Sequence, residues 1–300
     1  MAIARSQLLK ELLPGLNSLF GLEYQRYPEE WRDCYEIENS ERSFEEETKL
    51  SGFGSAPIKD EGAAIAFDDA QEVHTSRYTH ETIALGFSIT EEAVEDNLYD
   101  SLSARYTKAL ARSFQNTKEV KGAALFNEGF TGQTGGDGVS LFNTAHPLVN
   151  GGTNANRPTT AVDLNETSLE AAVIQIGKYT DERGLKIAAR PTGLLVPQDL
   201  QFVAERLLRS EGRVGTSDND LNALNSKNSI GGYTVNHYLT DTDAFFLKTD
   251  IPNGFKHFVR VPMKTSMEGD FDTGNVRYKG RERYSFGYSD PLAYYGSPGA

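Results

Sequence analysis

TEEAVEDNLYDSLSARYTKALARSFQNTKEVK, residues 90–121, decides the architecture. Val94, Leu98, Leu102, Tyr106, Ala109, Leu110, Phe114 and Thr117 recur at steps of three and four, the spacing that lines one face of an α-helix. Thr90 offers an N-cap, and Glu91 and Glu92 sit where the helix dipole favours carboxylates. No proline or glycine interrupts the run before Gly122. A helix of that span is about 48 Å long at ~1.5 Å per residue. That exceeds the ~10–14 residues of an average globular helix and predicts a structural spine.

Upstream of the spine, Leu85 to Ile89 reads as a short strand. Residues 36–84 form an odd stretch. Glu36, Glu38, Glu41 and Glu45 to Glu47 crowd its start, and Ser51-Gly52-Phe53-Gly54-Ser55-Ala56-Pro57 reads as a turn or loop tip. Ala63, Ala64, Ile65 and Phe67 follow, then a polar run and a β-prone return through Val73, Thr75, Tyr78 and Thr79. Such a polar two-armed excursion buries little against itself, so it is expected to be mobile or laid on a partner. At the N-terminus Ile3, Leu8, Leu9, Leu12 and Leu13 have helical spacing, and Pro14-Gly15 is expected to stop that helix. Leu16, Leu19, Phe20, Leu22, Tyr24 and Tyr27 continue an apolar arm that docks either on its own body or on a neighbouring copy.

Downstream, glycines 132, 135, 136 and 138 mark an irregular connection that runs on past His146-Pro147. Residues 163–168 look like a helix entry, with Leu169, Ala172, Val173, Ile176 and Tyr179 on one face and Gly184 as the stop. A buried strand at 192–197, a helix through Leu200 to Leu208, an asparagine-rich loop at 212–230 and short strands at 233–238 and 244–247 follow. Two long strands, 257–263 and 275–288, precede a Gly/Pro tail. There is no internal repeat. Helices, hairpin and long strands in this order predict an α+β fold rather than a regular βαβ winding.

Composition excludes several functions. The 300 residues carry a net charge of -13, which argues against a protein that coats nucleic acid through phosphate neutralisation, since that needs a basic face. Cys34 is the sole cysteine, which rules out an intramolecular disulfide and a cysteine-built zinc site. No apolar run approaches membrane-spanning length, and Lys10 and Glu11 interrupt the N-terminal leucines, so neither a membrane span nor a signal peptide is expected. Among His74, His80, His146, His237 and His257 no pair has metalloprotease spacing. His146 could be exposed, but an ordinary loop histidine is the favoured reading. The glycines at 132–138 lack the Lys-Ser or Lys-Thr of a phosphate loop, and Asp218 and Asp220 lack the glycine and terminal glutamate of an EF-hand. Residues 45–47 read as a solvated charge face. No catalytic, metal or cofactor-binding residue is expected. Arg277, Lys279, Arg281 and Arg283 alternate on one strand and could share a face, either solvated or turned to the acidic excursion across strands or between subunits.

Taken in order, Leu13-Pro14-Gly15-Leu16-Asn17 with Phe20-Gly21, Gly52-Phe53-Gly54 with Ala56-Pro57, Leu85-Gly86-Phe87, Ala109-Leu110-Ala111-Arg112-Ser113, Gly135-Gly136-Asp137-Gly138, His146-Pro147-Leu148, Leu195-Val196-Pro197 and Tyr238-Leu239-Thr240-Asp241 span nearly the whole chain. This order resembles the tailed-phage major capsid proteins of the Hong Kong 97-type fold, in the branch of the Mu-type major head subunit. The resemblance implies an N-terminal arm at 1–35, an extended E-loop hairpin at 36–84, a peripheral domain at 85–160 and 255–289, and an axial domain at 161–254 and 290–300. It implies no enzymatic activity and no cofactor. The function it implies is self-assembly into hexamers and pentamers of an icosahedral shell around a double-stranded DNA genome, in a virion built in the bacterial host cytoplasm. Scaffold, portal and decoration proteins are possible partners, although no fused scaffolding segment is expected.

The contacts between subunits are expected at Leu8, Leu12, Leu16 and Phe20 of the arm, at Phe53, Lys49 and Lys59 of the hairpin, and at Arg277, Lys279 and Arg281. Some relatives join subunits through a lysine–asparagine bond, but no asparagine and glutamate match Lys49 or Lys59, so covalent cross-linking is not expected. An encapsulin-type nanocompartment shell shares the implied fold and is the alternative. A hydrolase using His146 or the acidic clusters is the remote one, and it requires a closed pocket of converging ionisable groups.

Overall fold

The computed structural model describes residues 5–300 except 91, 93–98, 133, 213–220, 226–229 and 271–273, and the side chains of 5–13 and 99–102 lie outside the description. Helix α1 spans Arg5–Tyr24 and runs straight through Pro14. The expected stop at Pro14-Gly15 is therefore corrected. An interior proline costs a helix ~3 kcal/mol. Leu16 and Phe20, one turn apart, are buried on Leu110, Ala111 and Phe114, and two such burials contribute about 1.5–3 kcal/mol each. Tertiary packing outweighs the local penalty.

A 3-10 turn at Glu30–Asp33 leads to β1 (Glu36–Asn39), and β2 (Phe44–Leu50) and β3 (Glu72–Thr79) then form a two-stranded antiparallel ribbon. β4 (Glu81–Ile89) precedes the spine, α2 (Tyr99–Asn127). The predicted helix start, with Glu91, Val94 and Leu98, lies outside the described residues. Its predicted end at Lys121 is corrected: α2 passes through Gly122 because the missing β-carbon makes room for Trp31. The stretch expected as one hairpin, 36–84, is divided. Only 44–79 is the ribbon, while β1 and β4 are strands of the main sheet.

That sheet has the order β1-β10-β11-β4, with β10 (Phe255–Gly269) and β11 (Val276–Tyr288) as its long antiparallel pair. A second sheet, β12-β9-β7-β8, is built from β7 (Pro191–Val196), β8 (Tyr233–Val235), β9 (Phe245–Thr249) and β12 (Tyr294–Ser297). β12 lies in the supposed Gly/Pro tail and pairs with β9. Short strands β5 (His146–Pro147) and β6 (Thr153–Asn154) pair with each other.

Helix α3 (Glu166–Ile176) begins at an Asn165–Ser168 capping box and ends at Gly177, not at Gly184 as its apolar face predicted. Gly184 instead occupies a positive-φ turn, and Tyr179 reaches the same core from the chain beyond the helix. α3 and α4 (Gln201–Arg209) bury their apolar faces on the second sheet. A central core of Trp31, Tyr35, Phe126, Phe142, Phe246, Phe255 and Tyr294 joins the spine to both sheets. The long strands and the two sheets give the expected α+β architecture.

Candidate assembly surfaces

The ribbon has a fastened base and an open end. At the base, Tyr78 packs edge-on to Phe258 at 4.8 Å and hydrogen-bonds Ser289, and the Glu47 carboxylate meets Lys256 and Ser289. Lys49 Nζ lies 3.0 Å from Glu182 Oε1 and 2.9 Å from Asp290 Oδ2. Burial alone would lower this lysine, but the Asp290 and Glu182 carboxylates outweigh it and hold the ammonium above its usual range. Farther out, Arg183 Nη2 grips Asp68 at 2.8 Å, and Asp68 also accepts from the Gly54 amide at 2.8 Å. The solvated face expected at 45–47 is thus corrected at Glu47, whose partners come from β10 and the segment after β11.

Beyond these ties the residues of 51–71 carry no strand. Phe53, Ile58, Ile65 and Phe67 stand in water there, Ile58 and Phe67 each 96% exposed. Isolated exposed apolar residues are common on monomers, but four of them within this one strandless stretch make it the candidate interaction surface of the ribbon. The sequence reading singled out Phe53 at the tip and passed over Ile58, whose only neighbours of note are charged. Lys59 is exposed beside it.

The second surface is the outer face of the main sheet. The register places Arg277, Lys279 and Arg281 opposite Glu268, Ser266 and Lys264 of β10, and opposite Ser88, Gly86 and Ala84 of β4. All three cations are exposed, as the alternation predicted. Arg277 pairs with Asp270, whereas Lys279, Arg281 and Lys264 make no ion pair among the described residues. The small residues of β4 leave the long basic side chains uncovered.

The arm differs from expectation. Leu16 and Phe20 are buried on the chain's own spine, with Phe20 edge-on to Phe114 at 6.3 Å, so they have no area left to offer a neighbour. Within the single chain these two side chains complete its own core, and Lys49 is engaged by the ion pairs at the ribbon base. Leu8 and Leu12 lie on α1, but their side chains fall outside the described residues.

The groups considered for chemistry are structural. His146 is buried, not exposed: Nδ1 meets Asp137 Oδ2 at 2.6 Å and Nε2 meets Asn156 Oδ1 at 3.0 Å, so both ring nitrogens are occupied. A cleft of about 610 Å³ lies beneath the ribbon base, lined by Glu47, Lys49, Asp181, Glu182 and Asp290. Lys49 pairs with Glu182 and Asp290, Glu47 with Lys256, and Asp181 accepts from the backbone amides of Arg183 and Leu185, so the lysine is held as a cation, which suits a fastening rather than a nucleophile or base. Among the described residues no three His, Cys, Asp or Glu side chains gather as a metal site, and no helix is long and apolar enough to cross a membrane. Asp218 and Asp220 lie outside the described residues.

A fold of long spine, ribbon and two sheets, with exposed apolar and basic surfaces, is that of a shell-forming structural protein. The family model described as phage capsid protein matches residues 72–296, and the chain belongs to that family. Among solved structures, a virus-like particle from Pyrococcus furiosus is 12% identical with a TM-score of 0.52, covering 96% of this chain and 99% of that one. The capsid of Myoviridae phage XM1 is 11% identical with a TM-score of 0.54, covering 90% of each chain. The SrpI encapsulin of Synechococcus elongatus is 12% identical with a TM-score of 0.54, covering 91% of this chain and 88% of that one. These likenesses show the fold, the Hong Kong 97 type. Curated protein sequences contain no match.

Proposed function

We propose that copies of this chain close into hexamers and pentamers of an icosahedral shell that encloses the double-stranded DNA genome of a tailed phage, in the manner of the Mu-type head subunit. The observation that carries this reading is the ribbon. Burying Ile58 and Phe67 on another copy contributes about 1.5–3 kcal/mol each, and every copy repeats the contact by symmetry. Phe53 and Lys59 share that contact, and Arg277, Lys279 and Arg281 receive the acidic ribbon of a neighbour. The proposed division is an arm at 1–35, a hairpin region at 36–84 whose ribbon is 44–79, a peripheral domain at 85–160 and 255–289 around the spine and main sheet, to which β1 and the start of β4 also pair, and an axial domain at 161–254 and 290–300 around the second sheet. Assembly takes place in the bacterial host cytoplasm, with scaffold, portal and decoration proteins as further partners, and the product is the virion capsid.

Electron microscopy of the purified protein tests the shell, and the contents of particles from cells test the cargo. Shells holding nuclease-protected DNA are expected. Shells holding an enzyme instead would make this an encapsulin-type compartment. A protein that remains a monomer in every assembly condition would overturn both.

A further inference from the structure

Three elements meet at two carboxylates. Glu119 of α2 is 1% exposed, and its two oxygens accept the backbone N–H groups of Glu30 at 2.9 Å and Trp31 at 3.1 Å. These are the first donors of the 3-10 turn that ends the arm. The side chain of Glu30 then turns the other way and accepts from His237, from the backbone N at 2.8 Å and from Nδ1 at 2.6 Å. Residue 30 is thus a link: its amide is held by the spine and its carboxylate holds the loop after β8. Gln115 Nε2 donates to the Tyr27 carbonyl at 3.0 Å, and Asn127 Nδ2 donates to the Tyr238 carbonyl at 3.1 Å, so the same helix grips both partners again on either side.

We propose that Glu119 and Glu30 form a proton-controlled joint that fastens the end of the arm to the spine and to the loop after β8, tight in mild acid and loosened at mildly alkaline pH. The joint lies within one chain and goes beyond the shell reading without resting on it.

The charged and titratable groups around Glu119 fix the direction. Glu29 and Glu30 face it from the turn, Tyr24 from the end of α1, Cys34 from just beyond the turn and Tyr238 from the loop, while His237 pairs with Glu30 and Arg112 faces Tyr238. Burial pushes the Glu119 carboxyl up to about 7, the Trp31 and Glu30 amides pull it down, and the Glu30 and Glu29 carboxylates push it up further. When the joint opens and water reaches Glu119, its value returns toward the ordinary ~4.3. The closed joint therefore binds a proton that the open one releases. Its extra stability is full below the ordinary carboxylate value and is lost as the pH rises through about 7.

Trp31 is the only tryptophan and donates directly to Glu119. Its ring lies 4.5 Å from His257, which burial pushes down to about 3, so that histidine does not titrate in the window concerned. Acrylamide quenching of Trp31 in the full chain, followed from about pH 5.5 to 8.5 with circular dichroism held constant, reads the opening directly. Quenching is expected to rise several-fold through a midpoint near 7, to stay low and flat in Glu119→Gln, and to keep its midpoint in His237→Gln. In Glu30→Gln, which removes a neighbouring negative charge, the midpoint is expected to move to lower pH. A flat wild-type profile, or an unaltered rise in Glu119→Gln, would overturn the joint. Should Glu119→Gln fail to fold, an unmoved midpoint in Glu30→Gln overturns it equally.

Discussion

The spine passes Trp31 at Gly122, where a β-carbon would stand 2.6 Å from Trp31 Cβ and 3.4 Å from Cγ. The indole cannot retreat, because Phe286 lies edge-on at 5.4 Å and the Gly122 carbonyl is already bound by the Tyr35 hydroxyl at 2.6 Å. Gly122→Ala adds helix propensity but forces this contact apart. It is expected to lower stability by about 1–3 kcal/mol, the cost of overpacking. Gly15→Ala, in α1 with nothing near its missing β-carbon, is expected to raise stability by roughly 0.5–1 kcal/mol. Urea unfolding followed by Trp31 fluorescence separates the two, and equal effects would contradict this account of Gly122.

The same residue shows where sequence reading stopped. Gly122, Pro14 and Gly184 were each read as punctuation, because local propensity assigns glycine and proline that role. Each instead answers to something distant in sequence: Trp31 for Gly122, the burial of Leu16 and Phe20 for Pro14, and the 181–185 turn for Gly184. Periodic features were legible, since alternation on β11 and the three-and-four spacing of the spine are local. The ribbon was legible as too polar to fold alone. Which of its charges are fastened was not, because Glu182, Asp290 and Lys256 approach Lys49 and Glu47 only in three dimensions.

Asn156 ties the 141–146 loop to the C-terminal segment. Fully buried, it donates through Nδ2 to the carbonyls of Leu141 at 2.8 Å and Pro291 at 2.9 Å, and accepts through Oδ1 from the Asn143 amide at 2.8 Å. Asn156→Ala strands these groups without water, at ~1–3 kcal/mol for each buried group left unpaired. A loss of about 2–4 kcal/mol is expected in calorimetry or urea unfolding. Asn156→Asp places acceptors against carbonyls and should cost more. A change under about 1 kcal/mol in the alanine variant would show that water replaces the side chain.

Asp137 predicts an acid limb of stability. Burial would raise its carboxyl, but the His146 hydrogen bond and charge, with the Val139 amide and the His74 charge, outweigh burial and hold it below its ordinary 3.8. A lowered carboxylate contributes stability that is present above the unfolded value and lost as the pH falls through the folded one. The gap in urea midpoint between the native protein and Asp137→Asn should therefore be widest near neutrality and close below about pH 4. A gap independent of pH would mean that the asparagine disturbs packing and not charge.

The basic face of β11 offers the sharpest separation of folding from assembly. Arg277, Lys279 and Arg281 are exposed, and among the described residues their one ion pair is Arg277–Asp270, a surface bridge worth at most about 1 kcal/mol. The triple change Arg277→Glu, Lys279→Glu and Arg281→Glu should leave the unfolding midpoint of the isolated chain nearly unchanged. It should suppress particle formation, because in the proposed contact the neighbour's ribbon brings Asp60, Glu61, Asp69 and Glu72 against what has become an acidic face. Salt near 1 M shortens the screening length to about 3 Å and should partly relieve that repulsion. Reversing the ribbon with Asp60→Lys and Glu61→Lys should restore particles in the triple variant while impairing them in the native background, since only the matched pairing of signs is attractive. Sedimentation and electron microscopy of the four combinations give the answer: particles that form equally well in all four would remove the sheet face from the interface.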